Sequence, residues 1–459
     1  MFKKLLIPIF LSITCFAQNQ GNTWYFGAGA GINFNSGVPE VLTDGAMHTQ
    51  EGCSAVSDVN GNVLFYTDGL SVWNSLHELM PNGHSLKGHF SSTQSALIVP
   101  KPGSSKLYYL FTTDGFGGVN GFKYSIIDMS LEDGRGDVTV VKNRMLKNNI
   151  CEKITVVKHR NSNDYWILTR EFETANYCSF LLTESGVTEI PIISPVGKLI
   201  GGIKSKTIGC LKASLDGTKV AAAIWDNDLV EVLDFNNETG VLSNLIELND
   251  FYLGQPYGVE FSPSANLLYV SEANNESVSN LYQYNLTLMD EGLINERREI
   301  ISRVLPKSGA LQIGPDLKIY QAKMENGFLA AINNPERIGA ACNYEQDAVD
   351  LLGRTSRLGL PNLYTVELLL IDLGIKKKEQ HDQFAIYPNP STGVFNYILP
   401  ENLTQFTIQI YSLDGKTIAY ELNETFERSG QLSINEKSGV YIVVFQSEDE
   451  IYQTKLTIK

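Results

Sequence analysis

The sequence predicts an all-β chain: a β-propeller, seven-bladed by expectation, followed by a small immunoglobulin-like β-sandwich. Three observations lead there. A turn-plus-strand phrase recurs along most of the chain, about every 50 residues. The last stretch alternates apolar and polar residues with the two-residue period of half-buried strands. The composition, with 39 Gly, 21 Tyr and 21 Phe, suits many short strands joined by turns.

The chain has 459 residues, 43% hydrophobic and 19% charged. That is long enough for several domains or one large repeat fold, and too apolar for a disordered chain. Lys and Arg number 36 against 51 Asp and Glu, a formal net charge of -15. Such an acidic surface repels phosphate backbones and anionic lipid, so nucleic acid and the membrane surface are poor partners.

Met1-Phe2-Lys3-Lys4, the apolar run Leu5 to Phe16 and the small Ala17 describe a secretory signal peptide over residues 1–17, cut after Ala17. The run is too short to cross a bilayer comfortably, and nothing later approaches 18 apolar residues, so no membrane-spanning segment is expected in the mature chain. Cys15 invites a lipoprotein reading, which Ser12-Ile13-Thr14 before it fit poorly. Five cysteines follow: Cys53, Cys151, Cys178, Cys210 and Cys342, with no CxxC pair for zinc or redox chemistry. Buried small apolar side chains are the expectation. If one disulfide formed, Cys151 with Cys178 would be the nearest pair in sequence.

The propeller is expected over residues 24–371. Its repeating phrase puts Asp58-Val59-Asn60-Gly61 before NVLFYTDG, Lys101-Pro102-Gly103 before KLYYLFTTDG, and Asn161 to Asp164 before YWILTREF. It returns at Leu215-Asp216-Gly217, at Pro263 to Asn266 and at Pro315-Asp316-Leu317, each time ahead of an aromatic or β-branched strand. A sheet with two apolar faces cannot stay soluble alone; packing such sheets in a ring buries those faces against neighbours. Six phrases and an opening unit at Trp24-Tyr25-Phe26-Gly27 give seven. The irregular first unit leaves six or eight open. Two stacked sandwiches would not repeat the phrase.

Further phrases keep a fixed order: WYFG at Trp24, LTDG at Leu42, EGCSAVSD at Glu51, VWN at Val72, MPNG at Met80 and SSTQSALIVPKPG at Ser91. YGVEFSPS at Tyr257, GALQIGPDLKIY at Gly309, INNPERIGAACNY at Ile332 and RTSRLGLPN at Arg354 continue it. In this order they resemble a propeller family of secreted Bacteroidetes proteins with YVTN- or WD40-like blades. The resemblance implies the fold and no shared activity.

A polar stretch, Lys376-Lys377-Lys378-Glu379-Gln380-His381-Asp382, marks residues 372–383 as an exposed linker. The tail is residues 384–459. Phe406-Ile408-Ile410 and Val440-Ile442-Val444 alternate as strands do, Asp414-Gly415 signals a hairpin, and Pro388-Asn389-Pro390 fixes a rigid entry. Tyr387-Pro388-Asn389-Pro390, Gly393, Asp414-Gly415-Lys416, Gly439-Val440-Tyr441 and the terminal Lys455 to Lys459 together resemble the type A sorting domain of the type IX secretion system of Bacteroidetes. The resemblance implies export through that machinery, with the domain as address and commonly removed afterwards. The implied place is the outside of the cell or the outer-membrane surface.

No constellation reads as a complete site. His77, His84 and His89 lie around Pro81-Asn82-Gly83, with His48 and Glu51 upstream, but their separations are wider than zinc loops use. Asp58 begins like a calcium loop and continues as a strand, with no Glu at the twelfth position. Asp44, Asp68 and Asp114 sit in T-D-G steps, with Glu51 and Glu152 as further carboxylates. Paired carboxylates run glycoside hydrolysis when held at set distances, yet repeated D-G steps are simply turns. There is no G-x-S-x-G elbow, and Gly27 to Gly31 lacks the Lys and helix of a phosphate loop. Trp73, Arg354 and Arg357, with Trp166 and Trp225, are the candidate ligand surface, since aromatics stack on sugars and Arg binds carboxylates.

The expectation is therefore a secreted or surface propeller that binds an extracellular protein or polysaccharide without catalysis, cofactor or metal. The rivals are a propeller hydrolase or lyase acting on polysaccharide or peptide, and a structural part of a surface or gliding assembly.

Overall fold

A computed structural model describes residues 19–251, 254–273, 279–304, 308–363, 385–399, 406–412, 417–425, 429–446 and 451–459. The leader, the linker and Asp414, Gly415 and Lys416 lie outside the described residues. The chain separates into two compact units, residues 1–369 and 370–459.

Among the described residues of the first unit, strands form seven successive antiparallel sheets. Their leading strands are β1 (Thr23–Phe26), β2 (Ser54–Ser57), β3 (Ala96–Pro100), β4 (Ile150–Lys158), β5 (Leu211–Ala213), β6 (Gln255–Phe261) and β7 (Ser308–Ile313). Each pairs with the next strand in sequence, so every sheet is built from consecutive chain. The six turn phrases are the first hairpins of sheets two to seven. At the first of them Asp58 Oδ1 accepts from the amides of Asn60 at 2.8 Å and Asn62 at 2.9 Å, while Gly61 supplies a φ of +85°. The aspartates are needed because a two-strand turn leaves amides that a short side chain can satisfy.

The leading strands adjoin one another in order from β1 to β7. Apolar clusters lie between successive sheets: Phe65 against Tyr108, Phe111 with Phe122 and Phe180, Leu168 with Leu233, Tyr269 with Leu311. The ring closes where Trp24 of sheet one meets Tyr320 of sheet seven edge-on, ring centroids 5.7 Å apart, with Phe34 beside them at 5.5 Å. This radial burial is what makes the strands apolar on both faces. Val220 to Ile224 are all fully buried, and burial of each large side chain there stabilises the fold by about 1.5–3 kcal/mol.

The second unit has two sheets. Ala385–Tyr387, Val394–Ile398, Ser429–Ser433 and Glu421–Thr425 form one; Thr407–Ser412, Gly439–Gln446 and Ile451–Ile458 form the other. Phe395, Tyr397 and Leu432 of the first meet Ile410, Val443, Phe445 and Leu456 of the second in one core. Along Gly439–Gln446 the inward row is Tyr441, Val443 and Phe445; Ile442 and Val444 are half-buried.

Candidate functional site

The entries to the leading strands and the turns after each second strand share one end of the ring, because the hairpins run antiparallel. Beyond sheet seven the chain turns at Leu352-Gly353 and comes back into this end. The Ala28 amide donates to the Thr355 carbonyl at 2.9 Å, and the Ser356 amide to that of Asn326 at 2.8 Å. Then the Leu358 amide donates to Gln50 O at 3.0 Å, the Ala310 amide to Leu358 O at 2.7 Å, and the Asn362 amide to Cys53 O at 2.7 Å. Pro361 pairs with Cys53 in parallel. Residues 358–363 thus run along the inner edge of β2, down the axis.

Two glycines make room for this: a Cβ on Gly309 would overlap the Leu358 carbonyl, and one on Gly359 the Glu51 carbonyl. Gly52 and Gly258 allow the neighbouring close approaches, to the Ser95 amide and the Gly309 carbonyl. The Gly27 to Gly31 run is the first hairpin: Gly27 holds a φ of +56° and leaves room for the Thr355 carbonyl. Asn362 Nδ2 donates to Ile154 O at 2.9 Å, and the Gln94 side chain crosses to β5, accepting from the Leu211 amide at 2.7 Å and from the Ile154 amide at 3.1 Å. Chain and carboxamides fill the axis.

The carboxylates around this mouth are tied down. Glu152 accepts from the Thr93 amide at 2.9 Å, the Thr93 hydroxyl at 3.0 Å and the Phe116 amide at 2.6 Å, which clamps sheet three to sheet four. Burial nevertheless pushes its carboxyl up from the usual range. Glu51 accepts from Ser91 Oγ at 2.9 Å and from the buried Tyr257 hydroxyl at 2.8 Å. Burial, then the Glu51 charge, drives the Tyr257 phenol far up. Asp68 and Asp114 hold their own turns: Asp68 accepts from the Leu70 and Ser71 amides, Asp114 from those of Gly115 and Asn120.

Sequence reasoning passed over the buried cations. Arg170 and Glu231 pair at 2.9 Å with both side chains fully buried, and Tyr177 donates to the same carboxylate. Lys153 is buried and donates to the carbonyls of Thr207 at 2.8 Å and Ile208 at 2.6 Å. Lys212 bonds Gln312 and faces Glu260 at 3.6 Å. The one signal was a charge inside an otherwise apolar strand, as in ICEKITVVK and YWILTRE.

The candidate ligand residues are not all brought together. Trp73 is half-buried and stacks on Tyr66 at 5.7 Å, which stacks on Tyr25 at 4.5 Å. Tyr25 donates to Asp44 at 2.9 Å, and His77 sits between the Tyr66 hydroxyl at 3.1 Å and Asp44 at 3.4 Å. Arg354 donates to the Thr43 carbonyl beside this group. Arg357 instead pairs with Glu325 at 3.3 Å. Trp166 donates to Asn237 O at 3.0 Å and Trp225 lies edge-on to Tyr257, so the three tryptophans belong to sheets two, four and five. His84 contacts Ser85, and His89 lies against Phe90. Among the described residues no three His, Cys, Asp or Glu are grouped to hold an ion.

In the second unit the turn that holds Asn389 is tied to the last strand. Asn389 Oδ1 accepts from the Thr457 amide at 2.9 Å, Ser391 donates to Thr457 O at 2.8 Å, and the Lys459 amide donates to Ser391 O at 2.9 Å. Gly393 takes a φ of +109°, and its carbonyl accepts from the Ile434 amide at 2.9 Å. Tyr441 is buried and donates to Lys437 O at 2.7 Å. Tyr387, Pro388 and Pro390 are exposed, and Lys455 lies in the closing strand.

Residues 385–459 match the family described as the secretion system C-terminal sorting domain. No curated protein matches the chain. Among solved structures it is similar to a candidate 6-phosphogluconolactonase from Bacteroides uniformis, with 12% identity, 73% of this chain and 98% of that chain covered, and a TM-score of 0.45. A second such protein from Bacteroides fragilis gives 12% identity, 73% and 86% coverage and a TM-score of 0.40. The Cps50 (Swd1) β-propeller domain of Myceliophteria thermophila gives 11%, 66%, 94% and 0.38. Among the described residues no helix is long and apolar enough to cross a membrane. The chain is a β-propeller protein that carries a type IX secretion system C-terminal sorting domain, the mark of secretion or display at the outer-membrane surface.

Proposed function

We propose that the propeller, seven-bladed, is a non-catalytic binding module for an extracellular protein or polysaccharide, and that the type IX machinery is its export partner. One observation supports this reading above others. The carboxylates that chemistry at the mouth would use, Glu51 and Glu152, are both buried and already accept hydrogen bonds from neighbouring sheets. A general acid or nucleophile has to reach substrate, and these hold the ring together. The half-buried Trp73, stacked on Tyr66, whose hydroxyl reaches the His77–Asp44 pair, belongs to a group with the aromatic and hydrogen-bonding chemistry that sugar or peptide recognition uses.

The test is a glycan and surface-protein array probed with the wild-type chain and with Trp73→Ala. Retention of a ligand by the wild type and its loss in the variant supports the reading. Silence of the wild type on both arrays, or turnover of a polysaccharide or peptide panel, overturns it.

A further inference from the structure

We propose that residues 354–363 are a strap that closes the ring, and that the groove along β2 is a binding site for this segment, strong enough to keep it without a covalent link to sheet seven. The proposal is independent of the ligand reading above.

The first ground is topology. Among the described residues every sheet of the first unit is made of consecutive strands, and none of them joins the beginning of the ring to its end. Between sheets one and seven the described strands offer ring contacts, Trp24 and Phe34 on Tyr320. The strap supplies the hydrogen bonds there: Thr355 accepts from Ala28 of the first hairpin and Ser356 exchanges bonds with Asn326 of sheet seven.

The second ground is recognition. A segment whose backbone bonds go in turn to Gln50, Ala310 and Cys53, with one parallel bridge of Pro361 to Cys53, is held through its main chain, the source of affinity that strand-like peptide recognition also uses. Selectivity comes from Gly359, which faces the Glu51 carbonyl with no room for a Cβ, and from Asn362, whose amide and side chain reach Cys53 and Ile154 together. Leu360 and Leu363 are buried. Asn362 also accepts from Ser54 Oγ at 2.7 Å.

The third ground is position. The described strap residues run to residue 363, and the matched sorting domain begins at residue 385. The ring is therefore completed only after residue 363 has been made, and removal of the tail by a cut beyond that point leaves the strap seated.

The test inserts a specific protease site between Leu352 and Gly353 of the full chain, where both residues are exposed. After cutting, the wild-type fragment 353–459 is expected to co-elute with residues 1–352 in gel filtration. The same cut in Asn362→Ala and Gly359→Val chains should release the fragment. Before cutting, Gly359→Val should melt at a lower temperature than wild type, with Val140→Ser as the exposed control. Separation of the wild-type fragment on cutting overturns the proposal. So does equal retention in wild type and both variants, because the sorting unit would then account for it. If Gly359→Val fails to fold, Asn362→Ala carries the comparison.

Discussion

Arg170 and Glu231, 61 positions apart and on neighbouring sheets, face each other at 2.9 Å with no side-chain surface left to water. The guanidinium lies 5.0 Å from the Tyr177 ring centroid and also donates to the Thr174 carbonyl at 3.2 Å. Two desolvated charges of this kind gain little over a well-packed apolar pair, yet each is costly to leave alone. Arg170→Met should therefore cost about 3–5 kcal/mol in urea unfolding, because it leaves the Glu231 charge buried without its partner. The double variant Arg170→Met with Glu231→Leu should lose clearly less than the two single losses added. Simple additivity would refute the account.

Lys153 gives a pH signature. Burial pulls its ammonium down from the ordinary 10.5 to about 8, against the opposing pull of Cys151 and Glu152. Between pH 8 and 10.5 the unfolded chain holds a proton on Lys153 that the folded chain has released. Stability from this group therefore rises with pH across that window and is lost as pH falls through 8. The difference in unfolding free energy between wild type and Lys153→Met should grow by at most about 1.4 kcal/mol per pH unit there. Taking the difference cancels the buried tyrosines, which act in the opposite sense above pH 10. A difference flat from pH 8 to 10 would refute the assignment.

The repeat was legible because hairpin chemistry is local: Asp58 and Asp216 satisfy amides within four residues of themselves, and an aromatic or β-branched strand follows each turn. The sorting tail was legible for the same reason, since Asn389 and Gly393 mark a turn with fixed backbone needs. The axis was not. Gly52, Gly258, Gly309 and Gly359 stood in the ordered phrases, but their common cause is contact across as many as 308 positions of chain, from Gly359 to Glu51, which no local pattern carries. Arg170 and Lys153 carried no readable role in the sequence because Glu231 and the Thr207 and Ile208 carbonyls reach them from elsewhere in the chain. Trp73, Trp166 and Trp225 were grouped by residue type alone, and the ring holds them in three different sheets.

Cys53, Cys151, Cys178, Cys210 and Cys342 are all free and buried, so the Cys151–Cys178 pairing left open by the sequence is not made here. Burial pushes the thiols of Cys178 and Cys210 up to about 12, and reactivity belongs to the thiolate. A thiol reagent at pH 8 should titrate none of the five in the folded mature chain and all five in denaturant. Two thiols missing under denaturing, non-reducing conditions would reveal a disulfide and refute the expectation.

The closure between sheets one and seven can be measured through Trp24 and Tyr320. The Tyr320 ring meets Trp24 edge-on at 5.7 Å and its hydroxyl donates to Asp316 at 2.7 Å, so it serves both the closure and its own hairpin. Tyr320→Phe keeps the ring and should cost about 1 kcal/mol, the usual net worth of one hydrogen bond. Tyr320→Leu removes the aromatic edge as well. In a cycle with Trp24→Leu, an aromatic pair of this geometry should show a coupling of about 0.5–1.5 kcal/mol. Because the two residues belong to the first and last sheets, that coupling exists only while the ring is shut. Zero coupling would mean that the sheets meet without energetic consequence, and the closed ring would lose its main apolar support.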